Sequence, residues 1–298
     1  MSKISQSSED ALIRRITQNL SIQPEIITGV GDDCAVIAKH ETEHTLLKTD
    51  TIVESVHFLP EEDPERVGWK AAARVVSDFA AMGGKPEALL VTIILPPETT
   101  LEWVEKLYFG LNAVADRFNC SIVGGETSST ASGSPKVVSI SGTGTVAPHH
   151  LTLRSEAKPG DLIYVTGELG GSIRGKHLDF TPRVKEANWL VTHYKPSAMM
   201  DLSDGIAKDL PRLAKQSQCG YQIFPEKLPL DTDCTIDQAL NDGEDYELLF
   251  SIPREKQESL NTEWATSFSD LKLTHIGHLT EHETDSLSGG WDHLTKGS

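Results

Sequence analysis

Cysteine is scarce in the sequence and never occurs as a closely spaced pair. The 298 residues contain four cysteines, at positions 34, 120, 219 and 234, and no Cys-x-x-Cys motif. No apolar run approaches the roughly 18 residues that a membrane-spanning helix needs, and the N-terminal residues lack a hydrophobic stretch of the secretory type. These absences exclude a disulfide scaffold and a zinc ribbon. We therefore expect a cytoplasmic protein with reduced thiols and no membrane partner.

Basic residues are also in short supply. The chain has 27 Lys and Arg against 44 Asp and Glu, which gives a formal charge of −17. Because nucleic-acid binding depends on clusters of Lys and Arg, this balance argues against a nucleic-acid partner. It is compatible with binding of divalent cations or of a cationic small molecule, and equally with a merely well-solvated acidic surface.

Segments with helical periodicity alternate with apolar, strand-like segments along the whole chain. Asp63 and Pro64 predict the start of a long helix that ends at Gly83, and residues 87–96 form a near-continuous apolar run typical of a buried strand. A turn-rich stretch at 147–161 separates two such halves. We therefore predict a mixed α/β protein of the α+β type with two domains, 1–147 and 148–298.

The positions of the acidic residues are more informative than their number. Most of them stand at predicted strand ends or directly after glycine turns, whereas Asp78 lies within an apolar helix, where an unpaired carboxylate is costly. The set comprises Asp32, Asp33, Asp50, Asp78, Glu126, Asp201 and Asp204. Each residue alone is better explained as a helix cap, a turn residue or a salt-bridge partner. Together, with few basic residues nearby in sequence, they suit Mg²⁺ or Ca²⁺ and indicate phosphoryl transfer assisted by several metal ions.

Two further motifs imitate known sites. Residues 170–176 nearly match a P-loop, but His177 stands where the magnesium-binding Ser or Thr belongs, so a flexible glycine-rich loop or lid is the better interpretation. Asp231, Asp233 and Thr235 imitate an aspartyl-phosphate signature, yet Pro229 interrupts the strand that would present it. We interpret this segment as a polar turn.

Taken in order, the segments that carry these acidic residues resemble those of the bacterial thiamine-monophosphate kinases. The similarity extends from about residue 13 to 291 and rests on the segments GVGDDCAVI, TDTIVESVHF, SDFAAMGGKP, IVGGETS, LTLRSEAKPGD, MMDLSDGI and GEDYELLFSIP. That family belongs with aminoimidazole-ribonucleotide synthetase and selenophosphate synthetase. The resemblance implies two PurM-like α/β domains, the first of which forms the sheet of a homodimer.

It also implies a reaction and a set of site residues. The expected activity is transfer of the γ-phosphoryl group of ATP to thiamine monophosphate, directly and in line, with several Mg²⁺ ions and no phosphoenzyme. The expected metal ligands are Asp33, Thr49, Asp50, Asp78, Glu126, Asp201 and Asp204. The expected ATP contacts are Gly125, Glu126, Arg154 and Ser203, and the expected substrate contacts are His57, Glu244 and Trp291. Asp33, Asp78, Asp204 and Arg154 carry the catalytic roles.

Three departures from the family pattern keep alternatives open. Glu126 replaces an Asp, Lys48 stands where a Ser often precedes the Thr-Asp pair, and the segment 168–183 is shorter than usual. The alternatives are another ATP-using enzyme of the same superfamily and an inactive nucleotide- or metal-binding regulator.

Overall fold

The computed structural model describes residues 7–282 and 284–294, which form eleven strands and eight α-helices. The strands are β1 (Ile26–Thr28), β2 (Ala35–Ala38), β3 (His44–Val53), β4 (Lys85–Leu95), β5 (Ser121–Ser129), β6 (Val137–Val146), β7 (Leu162–Thr166), β8 (Ala198–Asp201), β9 (Gly220–Ile223), β10 (Leu248–Ile252) and β11 (Leu273–Thr280). The helices are α1 (Glu9–Thr17), α2 (Pro64–Ala81), α3 (Leu101–Phe118), α4 (Lys176–Asp179), α5 (Val184–His193), α6 (Ile206–Gln216), α7 (Ile236–Asn241) and α8 (Gln257–Ser267). The predicted mixed α/β class is confirmed.

The first sheet has one covered face and one open face. Its strand order is β1-β2-β3-β6-β4-β5, antiparallel except for the parallel pair β4 and β5. Because side chains alternate along a strand, Leu46 and Ile52 of β3 are buried on the covered face while Leu47 is exposed on the other. Leu90 and Val123 are exposed as well. The open face is therefore partly apolar.

The second sheet is buried on both faces. Its order is β8-β10-β7-β11-β9, with antiparallel pairing between all neighbours. Every residue of β7, β8 and β10 is buried, as strands covered by helices on two sides require. Side chains of α6 pack into the core on one side, and those of α5 and α8 pack into the core on the other.

Helix α2 lies between the two sheets. Asp63 caps its N-terminus by accepting a hydrogen bond from the Glu65 amide, and Pro64 occupies the first turn, as predicted. Nearly every residue from Val67 to Ala81 is buried. The helix contributes side chains such as Phe79 to the core of the first sheet, and Ala80 to a core cluster of the second.

Some features differ from the sequence-based expectations. Neither α8 nor β9 was predicted from the sequence. Residues 147–161 contain no helix or strand, but the division at 147 and 148 stays a prediction. Within the part of the chain that the structure describes, no helix combines the length and apolar character needed to span a membrane.

Candidate active site

Three buried carboxylates from distant parts of the chain meet between the two sheets. Asp33 precedes β2, Asp78 lies on α2 and Asp201 ends β8, and one oxygen of each lies within 4.8 Å of the others. Their exposed fractions are only 3%, 5% and 2%. Burial, together with the neighbouring charge of Asp33, raises the pKa of Asp201 to about 7. A compact group of buried carboxylate oxygens fits a hard divalent cation such as Mg²⁺.

One face of α2 lines this site with polar groups. Lys70, Arg74, Ser77 and Asp78 are all buried, and their spacing of three to four residues places them on the same side of the helix. The Ser77 hydroxyl donates to Asp201 at 2.5 Å. Sequence analysis identified only Asp78, although the polar spacing within an otherwise apolar helix was a usable signal for the other three.

Basic side chains from distant parts of the sequence lie beside these carboxylates. Arg154 pairs with Asp33 through two N–H groups and donates its backbone N–H to Asp32 at 3.1 Å. Few basic residues are near Asp33 in sequence, but the fold brings Arg154 across from the other half of the chain. The Asp32 side chain also accepts the Asp33 amide at 3.0 Å, which is a turn role.

Other carboxylates are paired in the same way. Lys48 donates to Asp78 at 2.8 Å and Arg74 donates to Asp50 at 3.4 Å. Burial alone would raise the pKa of Asp50, but the charges of Arg74 and Lys48 lower it below its usual value. Asp204 accepts from Arg212 at 2.6 Å.

The aspartates form one end of the site, and Lys70 and its partners form the other. The Lys70 ammonium group is fully buried and donates to Glu244 at 2.7 Å and to the His57 carbonyl at 2.6 Å. Glu244 has a left-handed backbone conformation with φ of 55°, held by a hydrogen bond from its amide to the Ser203 carbonyl. The loop thus directs Glu244 toward the same cavity as the aspartates.

His57 is held as a neutral ring with a defined tautomer. Its Nδ1 accepts the Val53 amide at 3.0 Å, so the proton lies on Nε2. Burial and the charge of Arg74 lower the pKa of His57 to about 4. The ring therefore presents a hydrogen-bond donor without a positive charge at neutral pH.

A small cavity joins these two ends. Its volume is about 150 Å³, which accommodates phosphate-sized groups and not a whole nucleotide. The predicted residues that line it are Asp50, His57, Asp78, Asp201, Ser203, Asp204, Glu244 and Trp291. His293 also lines it, its ring 5.2 Å from that of His57. His293 was not predicted from the sequence, although the neighbouring Trp291 was.

Three predicted residues lie elsewhere in this chain. The Thr49 hydroxyl lies 3.0 Å from that of Ser141 on the open face of the first sheet, which is the face opposite to Asp50. Glu126 pairs with Thr92 in the sheet register, and Thr92 pairs with Ser139 of the open face. Gly125 and Glu126 are therefore separated from the aspartates by strands β4 and β6.

The local hydrogen bonds of the two imitating motifs differ from those of the sites that they imitate. The Gly170 amide donates to Asp245 at 3.1 Å, and the Gly171 amide donates to Asp242 at 2.8 Å. In a P-loop these backbone N–H groups would bind phosphate, but here they are already hydrogen-bonded to carboxylates. These hydrogen bonds connect the loop to residues 242–245, while its role as a lid stays a prediction. The Thr235 side chain caps α7, which confirms the polar turn.

Comparisons with known proteins agree with this architecture. Residues 31–146 match the family described as AIR synthase related protein, N-terminal domain. The thiamine-monophosphate kinase of Bacillus subtilis (strain 168) is 34% identical over 300 residues, covering 91% of this chain and 90% of that protein. The solved structure of AaThiL complexed with AMPPCP and TMP has a TM-score of 0.86 at 30% identity, covering 98% and 99% of the two chains.

A more distant neighbour shares the fold alone. The hydrogenase maturation protein HypE of E. coli has a TM-score of 0.70 at 20% identity, with 80% of each chain covered. The PurM-like fold expected from the resemblance is thereby confirmed. On the identity and coverage of its curated relatives, this chain belongs to the thiamine-monophosphate kinase family.

Proposed function

We propose that this protein is an ATP-dependent kinase that phosphorylates thiamine monophosphate to thiamine diphosphate. The observation that carries the proposal is the buried group of Asp33, Asp78 and Asp201 in a chain of this family. A relative with the same architecture, AaThiL, was solved with AMPPCP, an ATP analogue, and TMP. Both reacting groups are anionic phosphates, so a site that concentrates divalent cations addresses the main barrier to their approach.

We propose Mg²⁺ as the cation and the aspartates as its holders. Asp33, Asp78 and Asp201 provide the central oxygens, and Asp50 and Asp204 line the cavity beside them. Several bound Mg²⁺ ions would neutralise the two phosphates and fix their in-line alignment. Within the described residues, no Ser-His-Asp arrangement accompanies the site, as suits a direct transfer without a phosphoenzyme.

We assign the thiamine side to His57, Glu244 and Trp291. Burial alone would raise the pKa of Glu244, but the Lys70 and Arg74 charges lower it, so the carboxylate stays anionic toward a cationic substrate. The neutral His57 ring can donate through Nε2. Trp291 offers an aromatic face for a thiazolium or pyrimidine ring.

We assign the nucleotide side to Arg154 and Ser203. Nε and Nη2 of Arg154 donate to Asp33, whereas the third nitrogen, Nη1, makes only a 3.5 Å contact with the Gly31 carbonyl. This group is suitably placed to donate to a phosphate oxygen. Ser203 lines the cavity beside Asp204.

We further propose that the protein is a cytoplasmic homodimer joined through the open face of the first sheet. A cavity of about 430 Å³ on that face is lined by Leu47, Leu90 and Val123, and such an apolar sheet face requires a cover. Glu126 pairs with Thr92, which pairs with Ser139 of this face, so the partner's arrival would bring Glu126 and the adjacent Gly125 backbone into an assembled site. Light scattering is expected to give twice the chain mass, and Leu90→Glu to give the monomer. A wild-type monomer would contradict this assignment.

The activity is tested by coupled ADP release with and without thiamine monophosphate. We expect ADP release that requires thiamine monophosphate and is nearly abolished in Asp33→Asn, while Asp116→Asn on the exposed side of α3 retains wild-type turnover. ADP release that ignores thiamine monophosphate would refute the kinase assignment. Calorimetric ATP binding without turnover would instead favour the regulator considered from the sequence.

A further inference from the structure

Lys48 has an unusual place within the acidic group. It lies on β3 with its side chain on the covered face, 23% exposed, and its ammonium nitrogen is 2.8 Å from Asp78 Oδ1. The same small cavity is lined by Lys48, Asp50, Asp78 and Asp201. A compact positive charge with three donors thus stands among the carboxylates proposed to hold Mg²⁺.

The three central carboxylates differ in their internal cations. Asp33 has Arg154 and Asp78 has Lys48, whereas Asp201 accepts the Ser77 hydroxyl and, among the described residues, forms no ion pair. The unneutralised charge is therefore concentrated on the side of Asp201. A divalent ion fits there without displacing a basic side chain.

The Asp78 side is different because a carboxylate has only two oxygens. A carboxylate that bridges two metal ions gives one oxygen to each, and Lys48 already holds Oδ1 of Asp78. The second oxygen stays available for the ion shared with Asp33 and Asp201. A further ion on the Lys48 side would have to displace the ammonium group against charge repulsion.

We propose that the ammonium group of Lys48 replaces one divalent cation of the metal site, so that this chain binds one ion fewer than it would without that lysine. This inference rests on the proposed function, because it takes the aspartates as metal holders. The ion pair between Arg74 and Asp50 also neutralises a carboxylate with a positive charge from the chain itself.

Counting bound ions tests the proposal without turnover. The number of Mn²⁺ ions bound per chain is measured from the electron paramagnetic resonance signal of free Mn²⁺ in the presence of AMPPCP, after subtraction of the Mn²⁺ that the same concentration of AMPPCP binds without protein. We expect Lys48→Met to bind one more ion per chain than the wild type. Lys48→Arg, which keeps the charge, and Lys39→Met, at an exposed surface pair, should keep the wild-type number.

Each outcome decides between the two proposals. Equal counts in the wild type and Lys48→Met would overturn the Lys48 inference alone, as would an extra ion in Lys48→Arg. A wild type that binds no Mn²⁺ with AMPPCP would overturn the metal assignment and this inference with it. Should Lys48→Met fail to fold without metal, Lys48→Ser refolded in Mn²⁺ provides the same count.

Discussion

Replacing Lys70 by Met is expected to destabilise the protein more than neutralising its partner Glu244. Lys70 is fully buried, whereas the Glu244 side chain is 22% exposed to the cavity, and the two groups are 2.7 Å apart. Methionine fills most of the space of the lysine stem, so the change removes charge rather than packing. The partner that remains must then stay charged alone or change its protonation.

The two partners differ in what that adjustment costs. Burial lowers the pKa of Lys70 to about 8, so its deprotonation at pH 7 costs about 1.4 kcal/mol. Protonating a carboxyl group with an ordinary pKa near 4.3 costs about 3.7 kcal/mol at the same pH. The cost of protonating Glu244 is the most that Lys70→Met can lose. Because water reaches Glu244, we expect a smaller loss of about 3 kcal/mol in the free energy of unfolding. Glu244→Gln should lose about 1 to 2 kcal/mol.

Thermal unfolding of the two single variants and the double variant measures this difference. Three kcal/mol corresponds to a decrease in Tm of about 6 °C for a protein of this size. The variant that carries both Lys70→Met and Glu244→Gln should lose less stability than the two single losses added together. We expect the difference, which is the coupling free energy of the pair, to be at least about 1 kcal/mol. A Lys70→Met variant as stable as Glu244→Gln, or additive losses, would refute the reasoning.

Three other predictions follow from the same contacts. Asp201→Asn should raise the metal-free Tm, because it relieves repulsion among buried carboxylates, yet lower turnover at least about a hundredfold; a lower metal-free Tm would contradict this. Gly110→Ala should cost about 3 kcal/mol in urea unfolding, because the added Cβ would lie 1.8 Å from the Glu65 carbonyl oxygen, whereas exposed Asn112→Ala should cost almost nothing. Because folding lowers the pKa of His57 from 6.5 to about 4, the folded state binds that proton less readily than the unfolded chain. Wild-type stability should therefore fall relative to His57→Asn between pH 6.5 and 4, by up to about 3 kcal/mol; parallel pH profiles would refute this.

Local patterns in the sequence were sufficient for the main elements. The cap at Asp63 and Pro64 placed the start of α2, and continuous apolar residues placed β4. The alternation of side chains along β3 also shows that Thr49 and Asp50 cannot both be ligands through their side chains. Thr49 and Asp50 are neighbours on a strand, so their side chains must point to opposite faces of the sheet, and only one of them can reach the aspartates.

The partners of the charged groups could not be predicted from local patterns. Arg154 is 121 residues from Asp33 in sequence, and no periodicity links the two. Lys70 and Glu244 are 174 residues apart. Such pairs depend on how the two sheets pack around α2, which is a long-range property of the fold.

The shared position of α2 has a consequence for how the protein loses its structure. Because α2 contributes to the cores of both sheets, neither sheet can melt without uncovering apolar side chains that the other still needs. Heat or denaturant should thus produce one concerted transition instead of two separate ones. Partial unfolding would dismantle the polar stripe of the helix along with its apolar side, so a partly folded chain holds no residual catalytic centre.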